Sequence, residues 1–218
     1  MIENAPLNVQ IYNNLKEEII SGELKPGEKL NISALAKKWK VSSTPVRDAI
    51  HSLATSGFVT IHPRKNVVVS ELDRKTFKDI FDLRIALECL AVELSINRIP
   101  KSMIAEARKS IGDAFDSYHQ NGNFNGFYKV DNLVHRLVLD HCGNEKLVST
   151  MENLQDLISW TRDIVVLQDK AFEKAAVEHI AILELLKDGD TSAAVQAMRN
   201  HLSNSCKRTL DNWDIQDK

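Results

Sequence analysis

The 218-residue sequence predicts a mainly α chain in two parts. The first, residues 1–71, is a winged helix-turn-helix; the second, residues 72–218, is an all-α bundle of about six helices. Three observations carry this. Between residues 10 and 57, three short groups of apolar residues recur at helical spacing, separated by turn residues. Residues 58–69 then read as two short strands around a polar turn. From about Leu72 the pattern turns purely helical, in long runs punctuated by Pro100, Gly122, Gly143-Asn144 and Gly189-Asp190.

Ile11, Tyr12, Leu15 and Ile19 define the first helix, and Gly22 stands where a C-terminal cap belongs. Lys25-Pro26-Gly27-Glu28 is a turn, with φ preset by proline and glycine free to take positive φ. A second helix carries Ile32, Leu35, Ala36 and Trp39 on one side. After Val41-Ser42-Ser43 comes a third, with Thr44 expected as its N-cap and Pro45 in its first turn. Its buried side is Val46, Ala49, Ile50 and Leu53, and Gly57 ends it. Phe58–His62 and Val67–Val69 are the expected strands, joined by Pro63-Arg64-Lys65-Asn66 with Asn66 able to adopt the left-handed conformation. The long helices fall near 74–97, 101–120, 124–141, 145–167, 170–187 and 191–212.

Composition narrows the function. With 43% hydrophobic and 27% charged residues the chain reads as an ordinary globular protein. No export signal or run long enough to span a bilayer is visible, and Cys89, Cys142 and Cys206 lack any C-x-x-C pairing, so a cytoplasmic setting is expected. The net charge of −2 hides an asymmetry: residues 1–70 carry nine Lys/Arg against six Asp/Glu. Within 31–70 six basic residues, Lys37, Lys38, Lys40, Arg47, Arg64 and Lys65, face one acid, Asp48. That balance suits a polyanion-binding module attached to an acidic body.

Thr44, Arg47 and His51 form one ridge on the third helix, opposite its apolar side. Small polar groups plus an arginine at a helix start can enter a DNA major groove, where free N–H groups meet phosphate and the guanidinium reaches base acceptors. The alternatives are a solvated surface helix, or a winged helix used only for protein contacts.

In the helical half, polar residues interrupt apolar faces. Asp131 sits within the Phe127, Val134, Val138 stripe, with His135 one turn on. A carboxylate on a core face is costly unless paired or bound to a cation, and Asp and His at i and i+4 could share a metal ion or pair with each other or a buried arginine. His179 lies at the centre of the Phe172, Ala175, Ala176, Leu183, Leu186 stripe; His201 lies at the flank of Val195, Met198, Leu202 and Cys206. His141, beside Gly143-Asn144, reads as a helix C-terminal cap group.

Several of these stretches resemble a known family. Tyr12-x-x-Leu15, Gly22-Glu-Leu-Lys-Pro-Gly27, Leu35-Ala36, Val41-Ser-x-Thr-Pro-Val-Arg-Asp-Ala-Ile50, Leu53, Gly57-Phe58-Val59 and Pro63-Arg64 resemble the DNA-binding domain of GntR-type bacterial transcription regulators. The resemblance implies that Thr44 and Arg47 touch DNA and that the wing tip, Arg64, Lys65 and Asn66, enters the minor groove. Lys37, Ser43 and His51 complete the expected DNA-facing set. Ser43 stands where the family usually has arginine, and Asn66 where it usually has glycine.

Arg84-x-x-x-Glu88, Asp131-x-x-x-His135, Gly143-Asn144, Leu147, Glu178-His179-x-x-Ile182-Leu183, Gly189-Asp190, Ala194 and His201-Leu202 resemble the all-helical FCD effector domain of the FadR branch. Members of that branch often hold a divalent metal with one Asp and three His, which correspond here to Asp131, His135, His179 and His201. Such a ligand set suits Zn²⁺, Ni²⁺ or Mn²⁺. Two further positions on a six-coordinate ion would take the carboxylate of a small organic acid. Arg84 is then either a second anchor for that acid or a structural partner for Glu88.

These features together predict a metal-dependent, small-carboxylate-responsive regulator, a repressor of a metabolic operon. It would bind a pseudo-palindromic operator as a homodimer, because one recognition helix covers one half-site. The competing class is a metallohydrolase using the Asp/His₃ site, with no membrane role in either case. Against an enzyme, the chain has no H-E-x-x-H, P-loop, G-x-G-x-x-G or nucleophile elbow.

Overall fold

The computed structural model describes residues 5–63, 66–71, 73–121, 130, 132–164 and 169–216. The described residues form nine helices and three short strands, in two compact units. Unit 1 holds residues 1–76 together with Gln155–Ile164; unit 2 holds Phe77–Leu154 and the rest of the chain from Val165.

Unit 1 is built from helices α1 (Leu7–Ile20), α2 (Ile32–Trp39) and α3 (Ser43–Thr55) and strands β1 (Lys29–Leu30), β2 (Val59–His62) and β3 (Asn66–Val69). The 3- and 4-residue spacing of Ile11, Leu15 and Ile19 buries one face of α1, and Val46, Ala49, Ile50 and Leu53 do the same for α3. The side chain of Asn31 caps α2 by accepting from the Ala34 N–H at 3.0 Å. Lys40, with φ 56°, ends that helix in the left-handed region.

At α3 the N-cap is Ser42, not Thr44, and no side chain caps it; the helix begins one residue before Thr44. The turn at Lys25–Glu28 forms as expected, with the Glu28 N–H donating to the Lys25 carbonyl at 3.0 Å and Gly27 at φ 78°. Its chain then continues into β1, a strand the periodicity does not mark. The sheet order is β1-β3-β2, all antiparallel, with His62 facing Asn66 across the hairpin. Asn66 is therefore the first residue of β3 with ordinary strand backbone, not a left-handed turn residue: Lys40 is the one non-glycine with positive φ among the described residues. The tip residues Arg64 and Lys65 lie outside the described residues.

Unit 2 contains α4 (Arg74–Ser95, from Phe77 onward), α5 (Lys101–Asn121), α6 (Leu133–His141), the first half of α7 (Glu145–Ile164), α8 (Asp169–Asp188) and α9 (Thr191–Gln216). Val92, Ile111, Val134, Val138, Met151, Ile182, Leu183, Met198 and Leu202 lie in its core. Gly143 takes φ 68° between α6 and α7, and Asn144 caps α7 by accepting from the Leu147 N–H at 3.1 Å. Asp190 repeats the device at α9, accepting from Ala193. His141 closes α6, its Nδ1 2.9 Å from the Leu137 carbonyl, as a C-terminal cap group would.

The second half of α7 belongs to the core of unit 1. Trp160 is buried against Phe58, ring centroids 5.7 Å apart, and Leu157 packs beside it. Lys16 and Asp156 form an ion pair at 2.6 Å. No described helix is long and apolar enough to cross a membrane.

Candidate metal centre and nucleic-acid interface

The metal-type residues come from three helices: His135 from α6, His179 from α8 and His201 from α9. All three are buried, at 3%, 1% and 4% exposure, which includes the flank position of His201. A left–right reading of one helix places His201 at the edge of its stripe, but the neighbouring helix closes over it. The three rings point their Nε2 atoms at one another: that of His179 is 3.3 Å from His135 and 3.1 Å from His201. One ligand atom from each lies within 4.8 Å of the others. The fourth expected ligand, Asp131, and Phe127 of its stripe lie outside the described residues.

Two glutamates fix which nitrogen faces inward. Glu88, on α4, is fully buried and hydrogen-bonds His135 Nδ1 on one oxygen and Arg84 Nε at 2.6 Å on the other. Burial alone would raise the Glu88 pKa, but the charges and hydrogen bonds of His135 and Arg84 outweigh it and hold the group ionised, well below the usual carboxylate range. Glu178, on α8, accepts from His201 Nδ1 at 2.7 Å. Burial opposes its ionisation too, and hydrogen bonds from His201, Arg208 and Asn204 bring its pKa down to about 2. Burial also pushes the His201 pKa down, against the pull of Glu178, so the imidazole stays neutral.

A carboxylate can only accept, so Nδ1 of His135 and of His201 each carry the proton. Their Nε2 lone pairs then face the same point as His179 Nε2. A single N–H on His179 could satisfy at most one of those two contacts, and a facing pair of lone pairs in an apolar core is costly. A cation removes the cost. Metal–nitrogen bonds of about 2.0–2.1 Å at tetrahedral or octahedral angles set nitrogens roughly 3.0–3.4 Å apart, which the spacing here matches. The donor set therefore fits a divalent transition metal.

Of the two roles the sequence leaves open for Arg84, the geometry contains the pairing with Glu88. Its buried Nη2 has no hydrogen-bond partner among the described residues. Its guanidinium lies over the Phe81 ring, 5.4 Å from the centroid. Glu88 and Glu178 as holders of the imidazoles were missed by sequence reading. The signal available was the carboxylate beside His179 and the Arg84–Glu88 pair on a core-facing helix.

On unit 1, Thr44, Arg47 and His51 are exposed on the face of α3 opposite Val46, Ala49, Ile50 and Leu53. Ser43 is partly buried at the start of the helix, Lys37 is exposed on α2, and Asn66 is exposed at the start of β3. Lys38, by contrast, is tied to Glu18 at 2.7 Å.

Comparison with known proteins agrees with this architecture. The family described as bacterial regulatory proteins, gntR family, matches residues 7–69, and the FCD domain matches residues 79–204. An uncharacterized HTH-type transcriptional regulator of Bacillus subtilis, YdhC, is 30% identical over 203 residues, spanning 93% of this chain and 91% of the relative. The solved structure of Escherichia coli McbR/YncC is similar with a TM-score of 0.72 at 20% identity, covering 96% of this chain and 99% of that one. The Zn²⁺-bound FCD domain of TM0439 is similar with a TM-score of 0.56 at 23% identity, covering 66% of this chain and 98% of that one. The chain belongs to the GntR family of bacterial regulatory proteins, with an FCD domain behind its winged helix, and is a DNA-binding transcriptional regulator, not an enzyme.

Proposed function

We propose that the chain is a metal-dependent repressor in the cytoplasm that answers to a small organic acid. The observation that carries the reading is the meeting of three buried Nε2 atoms, two of them forced by glutamates to present lone pairs. In this reading His135, His179, His201 and Asp131 hold one divalent ion, Zn²⁺, Ni²⁺ or Mn²⁺, selected by availability and geometry. The Zn²⁺ in the similar FCD domain of TM0439 supports it. When bound, the ion supplies a positive charge that attracts a carboxylate. Arg84 supplies the second anchor, through the buried Nη2 that Glu88 leaves unused.

Residues 1–71 act as the DNA-binding domain and 72–218 as the metal-binding, effector-binding and dimerising domain. Thr44, Arg47 and His51 enter the major groove of a pseudo-palindromic operator; Lys37, Ser43, Arg64, Lys65 and Asn66 line the backbone and the adjacent minor groove. Two-fold operators need a homodimer. The outer face of α4 supports one, with Leu83 56% and Leu90 39% exposed and Leu87 and Leu94 between and beyond them at heptad spacing. Repression follows from occupancy, because a dimer spanning two half-sites blocks the promoter beneath it. The acid acts by binding one arrangement of the dimer more tightly than another.

The test is electrophoretic mobility of the chain's own upstream DNA at fixed salt, with metal-loaded and chelator-stripped protein, across a panel of small mono-, di- and tricarboxylates. The expected result is a specific shift released by one acid class only when metal is present. Release that is identical with stripped protein, or no specific shift, would contradict the reading.

A further inference from the structure

We propose that Glu178 and Arg208 form a positioning pair that fixes His201 as an Nε2 donor and ties the metal centre to the last third of α9. The inference rests on the metal reading above. Successive helical residues point about 100° apart. His179 therefore enters the core of unit 2 while Glu178, its neighbour, faces α9 at 22% side-chain exposure.

Both oxygens of Glu178 are used, and among the described residues every donor comes from α9. Oε2 accepts from His201 Nδ1 at 2.7 Å and from Arg208 Nη2 at 3.1 Å; Oε1 accepts from Asn204 Nδ2 at 2.9 Å and from Arg208 Nη1 at 3.0 Å. Residues 201, 204 and 208 are spaced i, i+3, i+7, so they share one face of the helix. The arginine contact is a two-bond fork, the geometry that confers direction as well as strength on a carboxylate.

The chemistry of this chain of contacts runs in one direction. Arg208 fixes the plane of the Glu178 carboxylate; the carboxylate takes the Nδ1 proton and sets the tautomer and tilt of His201; Nε2 is left facing His179 and His135. Turning the ring would break the Nδ1 bond to Glu178. The Arg84–Glu88 pair does the same for His135 from α4. The difference is location: Arg84 is fully enclosed, whereas Arg208 is partly exposed and can be changed with little disturbance to packing.

The experiment compares full-length wild type with Glu178→Gln, Arg208→Met and Arg208→Lys, each stripped of metal and titrated with Zn²⁺ against a chromophoric chelator. Visible absorption of the Co²⁺ forms is recorded alongside. Arg108→Met, which breaks the exposed Arg108–Glu184 pair on the same α8, serves as the control for loss of a surface ion pair.

Glu178→Gln is expected to weaken Zn²⁺ binding by about 10–100-fold and to move the Co²⁺ bands. Arg208→Met should weaken it by a smaller factor in the same direction, with partial rescue in Arg208→Lys and no change in Arg108→Met. Wild-type affinity and spectra in both Glu178→Gln and Arg208→Met would overturn the pair while leaving the metal site standing. An equal loss in Arg108→Met would overturn it too, as a general effect of destabilisation. If Glu178→Gln does not fold, the two Arg208 variants decide the matter. No Zn²⁺ uptake by wild type would remove the metal reading and this pair together.

Discussion

At the scale of single residues, the side chains that matter are those whose surroundings contradict their chemistry. Arg84, Glu88, His135, His179 and His201 are ionisable groups in an apolar interior; hydrogen bonds join Arg84 to Glu88 and Glu88 to His135, and the His179 ring faces His201. The ionisation of Glu88, Glu178 and His201 makes stability depend on pH. Glu178 is held near 2 and Glu88 is also lowered, so each stabilises the fold above the unfolded carboxylate pKa and loses that contribution as pH falls toward its folded value. The lowered pKa of His201 acts in the same direction, beginning at the ordinary histidine value, because the unfolded state takes up the proton first. The metal-free chain should therefore lose thermal stability steadily from neutral pH through pH 4, and Glu178→Gln should flatten the lower part of that slope in a calorimetric series. Arg47 poses a different question, since it is exposed on α3 with DNA as its expected partner. Arg47→Ala should weaken operator binding by about 1–3 kcal/mol if the guanidinium reads a base. Equal affinity of that variant and wild type for operator over random DNA would remove Arg47 from the recognition set.

At the scale of elements, much was legible because helices announce themselves by period. The faces of α1, α3, α8 and α9 could be read from apolar spacing alone, and the glycines at 22, 27, 143 and 189 stand at positive φ where a turn or helix end requires it. What stayed hidden depends on partners distant in sequence. Strand β1 is two residues long and exists only because β3 pairs with it. The cap at Ser42 and the strand backbone of Asn66 were set by local geometry that several polar residues could have served. Convergence of the three histidines was beyond reach of periodicity, since each sits on a separate helix and only the packing of α6, α8 and α9 aligns them; family resemblance supplied it. The second half of α7 is a like case. Its residues read as one more amphipathic helix, yet Trp160 completes the core around Phe58, Ile11 and Leu53. Trp160→Ala should cost about 3–5 kcal/mol of unfolding free energy, read by denaturant titration of the winged-helix transition. A cost below 1 kcal/mol would mean that this half of α7 does not contribute to that core.

At the scale of the whole molecule, one acidic, helical unit and one locally basic, winged unit are joined in a single chain of the GntR family. The division of labour proposed for them needs the helical unit to hold a cation, since the imidazole cluster is the feature that connects chemistry in the core with an external acid. The wing adds a second whole-molecule signature, because a phosphate contact from Lys65 would release counterions and steepen the salt dependence of DNA binding. The most direct test of the central claim is elemental analysis of the purified chain after chelation and reloading, with His179→Ala measured beside it. One divalent ion per wild-type chain and none in His179→Ala is the predicted result. Folded wild-type protein that takes up no metal, or a variant that retains a full equivalent, would contradict it.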